Sequence, residues 1–320
     1  MQEVLKTAYN VSRMSRRVHI DEKSLTDFSD KLAAGPIEIP SWDHRYHFFD
    51  GSERTVSYLL ALDTLNFCFW PLSGNRKWEI EYESQNLSGY YALAASLKKA
   101  IETGIPITNA EYLAEVSLDS LKNILGGKGE LQLMENRVKA LNELGRFLLD
   151  KYDGQAGKLV GDSKNSAVKL VTLLTENLSS FQDTAYHLGH KVFFYKRAQI
   201  FAADLYGAFG GRDWGYFKDI NELTSFADYK LPQVLRHLGI LCYAEDLENK
   251  IDQGIYLEAG GAEEVEIRSN TIRAVELIRS TLSGLGKEIR SFEIDWILWN
   301  MGQQNEFKVR PYHKTVTIFY

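Results

Sequence analysis

The sequence predicts a mainly α fold, a single globular helical domain over residues 1–320 with a small β element. Three observations lead there. Apolar residues recur at helical spacing along most of the chain, whereas a period-two alternation is clear only once. Only 6 prolines are spread over 320 residues, and no Gly/Ser-rich linker interrupts them. The content is 44% hydrophobic and 12% aromatic, enough for a large core and too apolar for a disordered chain.

In chain order, the alternating run is 77–83. There Trp78, Ile80 and Tyr82 face one way and Glu79, Glu81 and Glu83 the other, which predicts a strand. Residues 88–104 open on Ser88 as a cap and close on Gly104, the signature of a helix. Residues 131–152 form an amphipathic pattern through Leu131, Met134, Val138, Leu141, Leu144 and Leu148. Stretches 167–178, 193–209, 244–251 and 265–285 read the same way. Pro232 suits the first turn of a helix running to Gly239. The tail 315–320 reads as extended.

The formal net charge is −6, which disfavours bulk binding of polymeric nucleic acid through many phosphates. Cys68 and Cys242 are too few for a disulfide framework, and Cys68, within Phe67-Cys68-Phe69-Trp70, reads as a buried thiol in a reducing compartment. No run of 18 apolar residues exists, and the opening MQEVLKTAYNVSRMSRRV has no signal-peptide core, so a soluble cytoplasmic protein is expected. No GxGxxG follows a strand, and there is no GxSxG and no CxxC. Gly286-Lys287 is followed by Glu288, and residue 281 is Thr, which excludes a P-loop. The pairs His44/His47 and His187/His190 have spacing suited to one helix face. Lacking a third ligand, they read better as polar contacts than as a metal site.

The informative residues are carboxylates where water is scarce. In Phe292-Glu293-Ile294-Asp295-Trp296-Ile297-Leu298-Trp299-Asn300-Met301, apolar side chains cover nearly every helical direction, so the helix is buried and carries Asp295 and Asn300 inside. A buried carboxylate needs a partner, an internal donor or a ligand. Asp295 shares a face with Trp299 at i,i+4, a pairing suited to a flat ligand with paired N–H donors. Phe226-Ala227-Asp228-Tyr229 lies just before the Pro232 helix. Asp228 therefore sits on a short entering segment, either capping a turn or facing a ligand. Asp63 is expected as an N-cap and Asp204 as a helix-packing ion pair. Lys196 and Arg197, amid Phe193, Phe194 and Tyr195, suit either a phosphate beside a ring or a snorkelling helix face.

The segments DTLNFCFW (63–70), SGYYALAASLKKAIETGIPIT (88–108), FYKRAQIFAADL (194–205), FADYKLPQVLRHLG (226–239), EVEIRSNTIRAVELIR (264–279), EIDWILWN (293–300) and the tail HKTVTIFY together resemble the queuosine salvage family of queuosine 5′-phosphate N-glycosylase/hydrolases. The resemblance runs in order through essentially the whole chain. It implies a helical fold related to the helix-hairpin-helix DNA glycosylases, although Leu231-Pro232-Gln233-Val234 lacks the glycines of their hairpin. It also implies hydrolysis of the N-glycosidic bond of queuosine 5′-monophosphate, freeing queuine for tRNA modification. The partner is a small-molecule nucleotide; no cofactor, metal or membrane is implied. A carrier of queuine and a DNA repair glycosylase are the alternatives. Carried over onto this sequence, Phe226 and Trp299 stack, and Asp228 and Asp295 supply carboxylate chemistry. His47 and Asn300 contact the ligand, and Lys196 or Arg197 meets the phosphate. Asp228 is assigned to the sugar and Asp295 to the base edge, the reverse being the alternative. Asn300 departs from family members that carry Asp there.

Overall fold

A computed structural model describes residues 1–72 and 74–320, and the chain is mainly α-helical. It divides into two compact units whose segments interleave in sequence. One comprises Met1–Ser41, Asp183–Lys196 and Asn221–Val316; the other comprises Trp42–Gln182, Arg197–Ile220 and Thr317–Tyr320. Neither unit is a continuous stretch, so no linker composition marks a boundary. The division even falls within one helix, Lys196–Ala208.

The first unit is organised on the helix Ala262–Gly284, which is buried on every side from Glu264 to Ile272. Against it pack the helices Gln2–Met14, Glu22–Ala33, Lys230–His237 and Ser291–Met301. Val234, Leu235, Ile267, Val275, Ile278, Ile294 and Leu298 belong to their common core. Burial of this apolar surface supplies the main stabilisation, on the order of 2 kcal/mol for each fully buried large side chain. Two short antiparallel pairs complete the unit: Val18–Ile20 with Leu241–Tyr243, and Thr184–His187 with His190–Phe193.

The second unit is organised on the helix Glu53–Leu65, buried from Thr55 through Leu65. Ser52 caps its start by accepting from the Arg54 amide. The helices Met134–Tyr152, Gly89–Glu102 and Ala156–Asp162 pack on it. Where Ala110–Glu115 crosses Met134–Tyr152, a Cβ on Gly145 would lie 2.3 Å from the Ala114 amide nitrogen, so only glycine permits that approach.

The predicted helices are present with shifted ends. The 131–152 pattern becomes Met134–Tyr152 because Leu133 takes a left-handed φ of 59°. The 193–209 pattern becomes Lys196–Ala208: Phe193 ends the strand His190–Phe193, and Tyr195 takes a positive φ of 52°. The predicted strand shortens to Glu79–Tyr82 and pairs with Gln85–Ser88. Glu83 and Ser84 both have positive φ (46° and 61°), the backbone of a tight type I′ hairpin turn, built here without its usual Asn-Gly signature. Leu188 and Gly189 do the same, which places His187 and His190 opposite each other on a hairpin rather than on a helix face. The tail makes no ladder: Lys314 forms one bridge with Tyr256, and the Tyr320 carbonyl accepts from the Cys68 amide. Asp63 is not an N-cap; it lies in the last turn of Glu53–Leu65, fully buried. No described helix is long and apolar enough to cross a membrane.

Candidate active site

In the first unit, Phe226, Ala227 and Asp228 form the segment that enters the helix Lys230–His237, and Asp295, Trp299 and Asn300 lie on Ser291–Met301. The two elements are tied directly. Asp295 is buried, and its Oδ2 accepts a 2.6 Å hydrogen bond from the Phe226 amide. The carboxylate thus gains an internal donor and at the same time fixes the backbone that carries the Phe226 ring. Trp299 packs on the core of this unit at i+4 from Asp295. Asn300 donates from Nδ2 to the Trp296 carbonyl at 2.8 Å, a bond an ionised Asp cannot make.

Asp228 is 7% exposed, and its two oxygens have different surroundings. Oδ1 accepts from the amides of Lys230 (2.7 Å) and Leu231 (3.0 Å), the orphan donors at the start of that helix. Oδ2 makes no hydrogen bond among the described residues. One oxygen of the carboxylate is thus held in place by the helix start that it caps, and the other is left without a hydrogen bond among the described residues.

A buried clamp supports the segment from behind. Arg268 donates through Nε to the Ala227 carbonyl at 2.9 Å, between the two site residues. Its other nitrogens form a fork on Asp183, Nη1 to Oδ1 at 2.9 Å and Nη2 to Oδ2 at 2.6 Å. The guanidinium lies over the Phe194 ring, 3.9 Å from its centroid. Asp183 in turn accepts from the Lys196 amide at 3.1 Å, a carboxylate at a helix N-terminus, and so fixes where Lys196 begins its helix. Burial, with the Arg268 charge second, pushes the His313 imidazole down to about 3. The charge signal for this clamp was present in the sequence, since Arg268 lies one residue after Ile267 on an apolar stripe. Its partner, 85 residues away, carried none.

The second unit holds His47 and Arg197. The Arg197 guanidinium donates to the carbonyls of Asp63, Thr64 and Ser180 and lies over the rings of Phe67 and Phe181. His47 is buried, with Nδ1 2.6 Å from the Asp43 carbonyl and Nε2 2.9 Å from the Tyr90 hydroxyl. Tyr90 lies 3.2 Å from Oδ2 of buried Asp204. Burial pushes His47 down to about 4, so the ring is neutral at pH 7. Tyr90 had no signal in the sequence, because it reads there only as one more aromatic of a helix start.

A buried carboxylate held at a helix entry, on one segment with the Phe226 ring, suits a protein that cleaves glycosidic bonds. A family model described as queuosine salvage protein matches residues 46–320, and the chain belongs to that family. It is 44% identical over 317 residues to a protein of Sphaerobacter thermophilus, covering 99% of this chain and 97% of the relative. It is 37% identical to a Bos taurus protein, covering 98% of each, and 30% identical to one of Schizosaccharomyces pombe, covering 96% of this chain and 93% of the relative. All three are named queuosine 5′-phosphate N-glycosylase/hydrolase.

Proposed function

We propose that this chain hydrolyses the N-glycosidic bond of queuosine 5′-phosphate and releases queuine for salvage. The observation that carries the reading is the divided carboxylate of Asp228, pinned through Oδ1 by two amides and presenting Oδ2 without a partner. Cleavage of a glycosidic bond builds positive charge on the sugar, and a preorganised anion stabilises that charge more in the transition state than in the ground state. Queuine is a 7-deazaguanine. With carbon in place of N7, the leaving base has no N7 to protonate, and more of the work falls on the sugar side and on positioning of the base. Asp295 takes the paired N–H donors of the guanine-like edge, and its bond to the Phe226 amide couples that recognition to the stacking ring. Trp299 supplies the second aromatic and Asn300 a polar contact. Of the adjacent basic residues, Lys196 takes the phosphate, because the Arg197 guanidinium already serves three backbone carbonyls.

The test is release of queuine by the purified protein, followed chromatographically, with queuosine 5′-phosphate and with the nucleoside. Release from the nucleotide, persisting with a chelator, is the expected result. Tight queuine binding without any release would turn the reading into that of a carrier.

A further inference from the structure

We infer that Gly302 is a positioning residue of the candidate site. Without a Cβ, it lets the stem of Lys230 pass between the two acid-bearing elements and sets how closely they pack. The inference deepens the proposed function and rests on it only for its effect on turnover.

The two elements are the segment 226–234, which carries Phe226 and Asp228, and the helix Ser291–Met301, which carries Asp295 and Trp299. Asp295, Trp299 and Gly302 follow one another at i, i+4 and i+7, so they line one face. The first tie between the elements is the bond from the Phe226 amide to Asp295 Oδ2. The second lies two turns further on. A Cβ on Gly302 would stand 2.6 Å from Cδ and 3.0 Å from Cγ of Lys230, and 3.0 Å from Cγ2 of Val234. Carbon atoms in ordinary contact sit about 3.5–4.0 Å apart, so that methyl group would overlap the lysine stem.

Backbone geometry does not ask for glycine here. Gly302 is the C-cap of its helix, with a φ of −63° and a ψ of −10°, and its amide donates to the Leu298 carbonyl at 2.9 Å. Any L-residue adopts those angles, and alanine is intrinsically favoured over glycine at them. The close approach is what requires glycine.

Lys230 cannot swing aside without breaking a contact, because it is held at both ends. Its amide donates to Asp228 Oδ1 at 2.7 Å, and its Nζ donates to Oε1 of Gln233 at 2.9 Å and stands 5.4 Å from the centroid of the Tyr312 ring. Gln233 is itself buried and donates through Nε2 to the Arg310 carbonyl at 2.6 Å, which fixes the oxygen that Lys230 meets. A Cβ at position 302 therefore moves either the residue whose amide caps Asp228 or the helix end that follows Trp299. Both displacements reach the site, where a misplacement of about 1 Å is enough to slow chemistry by roughly a hundredfold.

Gly302→Ala tests this, alone and combined with Lys230→Ala, which removes the two carbons that the new methyl group overlaps. The first readout is amide hydrogen exchange of the ligand-free protein. In Gly302→Ala the amides of Lys230 and Leu231, bound to Asp228, and of Phe226, bound to Asp295, should exchange roughly tenfold faster, while those in the middle of Ala262–Gly284 keep their wild-type rates. Single-turnover release of queuine should fall by roughly tenfold to a hundredfold, with the urea midpoint near that of wild type. In the double variant, exchange and turnover should return to the values of Lys230→Ala alone. Unchanged exchange at the three amides, faster exchange spread evenly over the unit, or unchanged turnover in a protein that releases queuine overturns the inference. So does a double variant that stays impaired relative to Lys230→Ala, a comparison that decides even if Gly302→Ala alone fails to fold. The exchange arm involves no substrate. If the wild-type protein releases no queuine, the hydrolase reading fails, and exchange still decides the role of Gly302.

Discussion

Arg137 and Arg197 in one unit and Arg268 in the other are all buried, yet they are balanced in opposite ways. Arg137 donates to the carbonyls of Leu65, Phe67, Cys68 and Gln132, and Arg197 to those of Asp63, Thr64 and Ser180. Together they serve the last-turn carbonyls of Glu53–Leu65 and the chain that leaves it, where a helix leaves acceptors unpaired and its dipole favours cations. Arg268 instead forms a fork on a carboxylate and spends one remaining donor on the Ala227 carbonyl beside Asp228. Carbonyl-bound arginines hold a scaffold; the carboxylate-bound arginine holds the segment that carries Phe226 and Asp228. The difference is testable because it separates stability from turnover.

The largest effect should come from Arg268→Met. Removing one partner of a buried ion pair leaves Asp183 uncompensated and should cost about 3–5 kcal/mol of stability, measured by urea unfolding. The double variant Arg268→Met/Asp183→Leu should recover much of that loss, since apolar pairs often replace buried ion pairs without penalty. Turnover should remain low in the double variant, because the Ala227 carbonyl has lost its donor. If turnover returns with stability, the clamp is only scaffold, and the contrast with Arg137 and Arg197 collapses.

Next in size is Asp228→Asn, which keeps the shape and an amide-accepting oxygen while removing the charge. Single-turnover release of queuine should fall by about 10²-fold or more, the scale of a lost transition-state electrostatic contact, with queuine affinity retained. Asp295→Asn should do the reverse. It turns a donor toward donors and weakens queuine binding, and dissociation constants measured on both variants show which acid faces the sugar. Normal turnover in Asp228→Asn with loss of turnover in Asp295→Asn would exchange the two roles.

His313 gives a pH-dependent version of the same contrast. Its folded value of about 3 lies below the ordinary value of 6.5, from burial first and the Arg268 charge second. Above pH 6.5 the ring is neutral in both states and costs nothing. As pH falls below 6.5 the unfolded chain takes up a proton that the folded chain refuses, so stability drops, and it continues to drop until the folded value is reached. Between pH 7 and pH 5 that loss is about 2 kcal/mol for one imidazole. His313→Gln should show a correspondingly smaller loss over the same interval; an unchanged loss would mean that the imidazole charges in place.

Lys196→Ala and Arg197→Met compare neighbours on one helix. Lys196→Ala should weaken queuosine 5′-phosphate by roughly tenfold or more relative to free queuine, the scale of one charge-assisted contact. Arg197→Met should leave that ratio alone and lower stability instead, because it orphans buried carbonyls at about 1–3 kcal/mol each. Equal weakening of nucleotide and base by Lys196→Ala would remove the phosphate from this position.

Much of this was legible in the sequence and some was not, for physical reasons. The burial of 292–295, 297 and 298 followed from apolar residues in every helical direction, and Asp295 needed a partner for the same reason, whereas Asn300, expected inside with them, is only half-buried. Which partner it takes did not follow, because the Phe226 amide is 69 positions away and a backbone donor leaves no mark on sequence. The hairpins at Glu83-Ser84 and Leu188-Gly189 were hidden because turns with positive φ are usually announced by Asn-Gly or Asp-Gly. Asp63 and Arg197 were misleading alone. Local spacing suggested a cap for Asp63 and either a snorkelling helix face or a phosphate contact for Arg197, whereas burial ties both to the end of Glu53–Leu65.

The smallest expected effect belongs to Asn300. Its Nδ2 donates back to the Trp296 carbonyl within the last turns of Ser291–Met301. Asn300→Asp removes that donor and puts a negative charge at the end of the helix whose dipole is already negative. Position 300 is only half-buried, so water softens the penalty, and a loss of about 1 kcal/mol is expected from urea unfolding at pH 7. Below about pH 4 the aspartic acid is protonated, regains a donor, and the variant should approach wild type. Queuine carries a secondary amine, so the added carboxylate should also strengthen queuine binding at low salt, and the gain should shrink as salt is raised. A stability loss without any change in queuine affinity would place Asn300 among the scaffold contacts, on the same side of the comparison as Arg137 and Arg197.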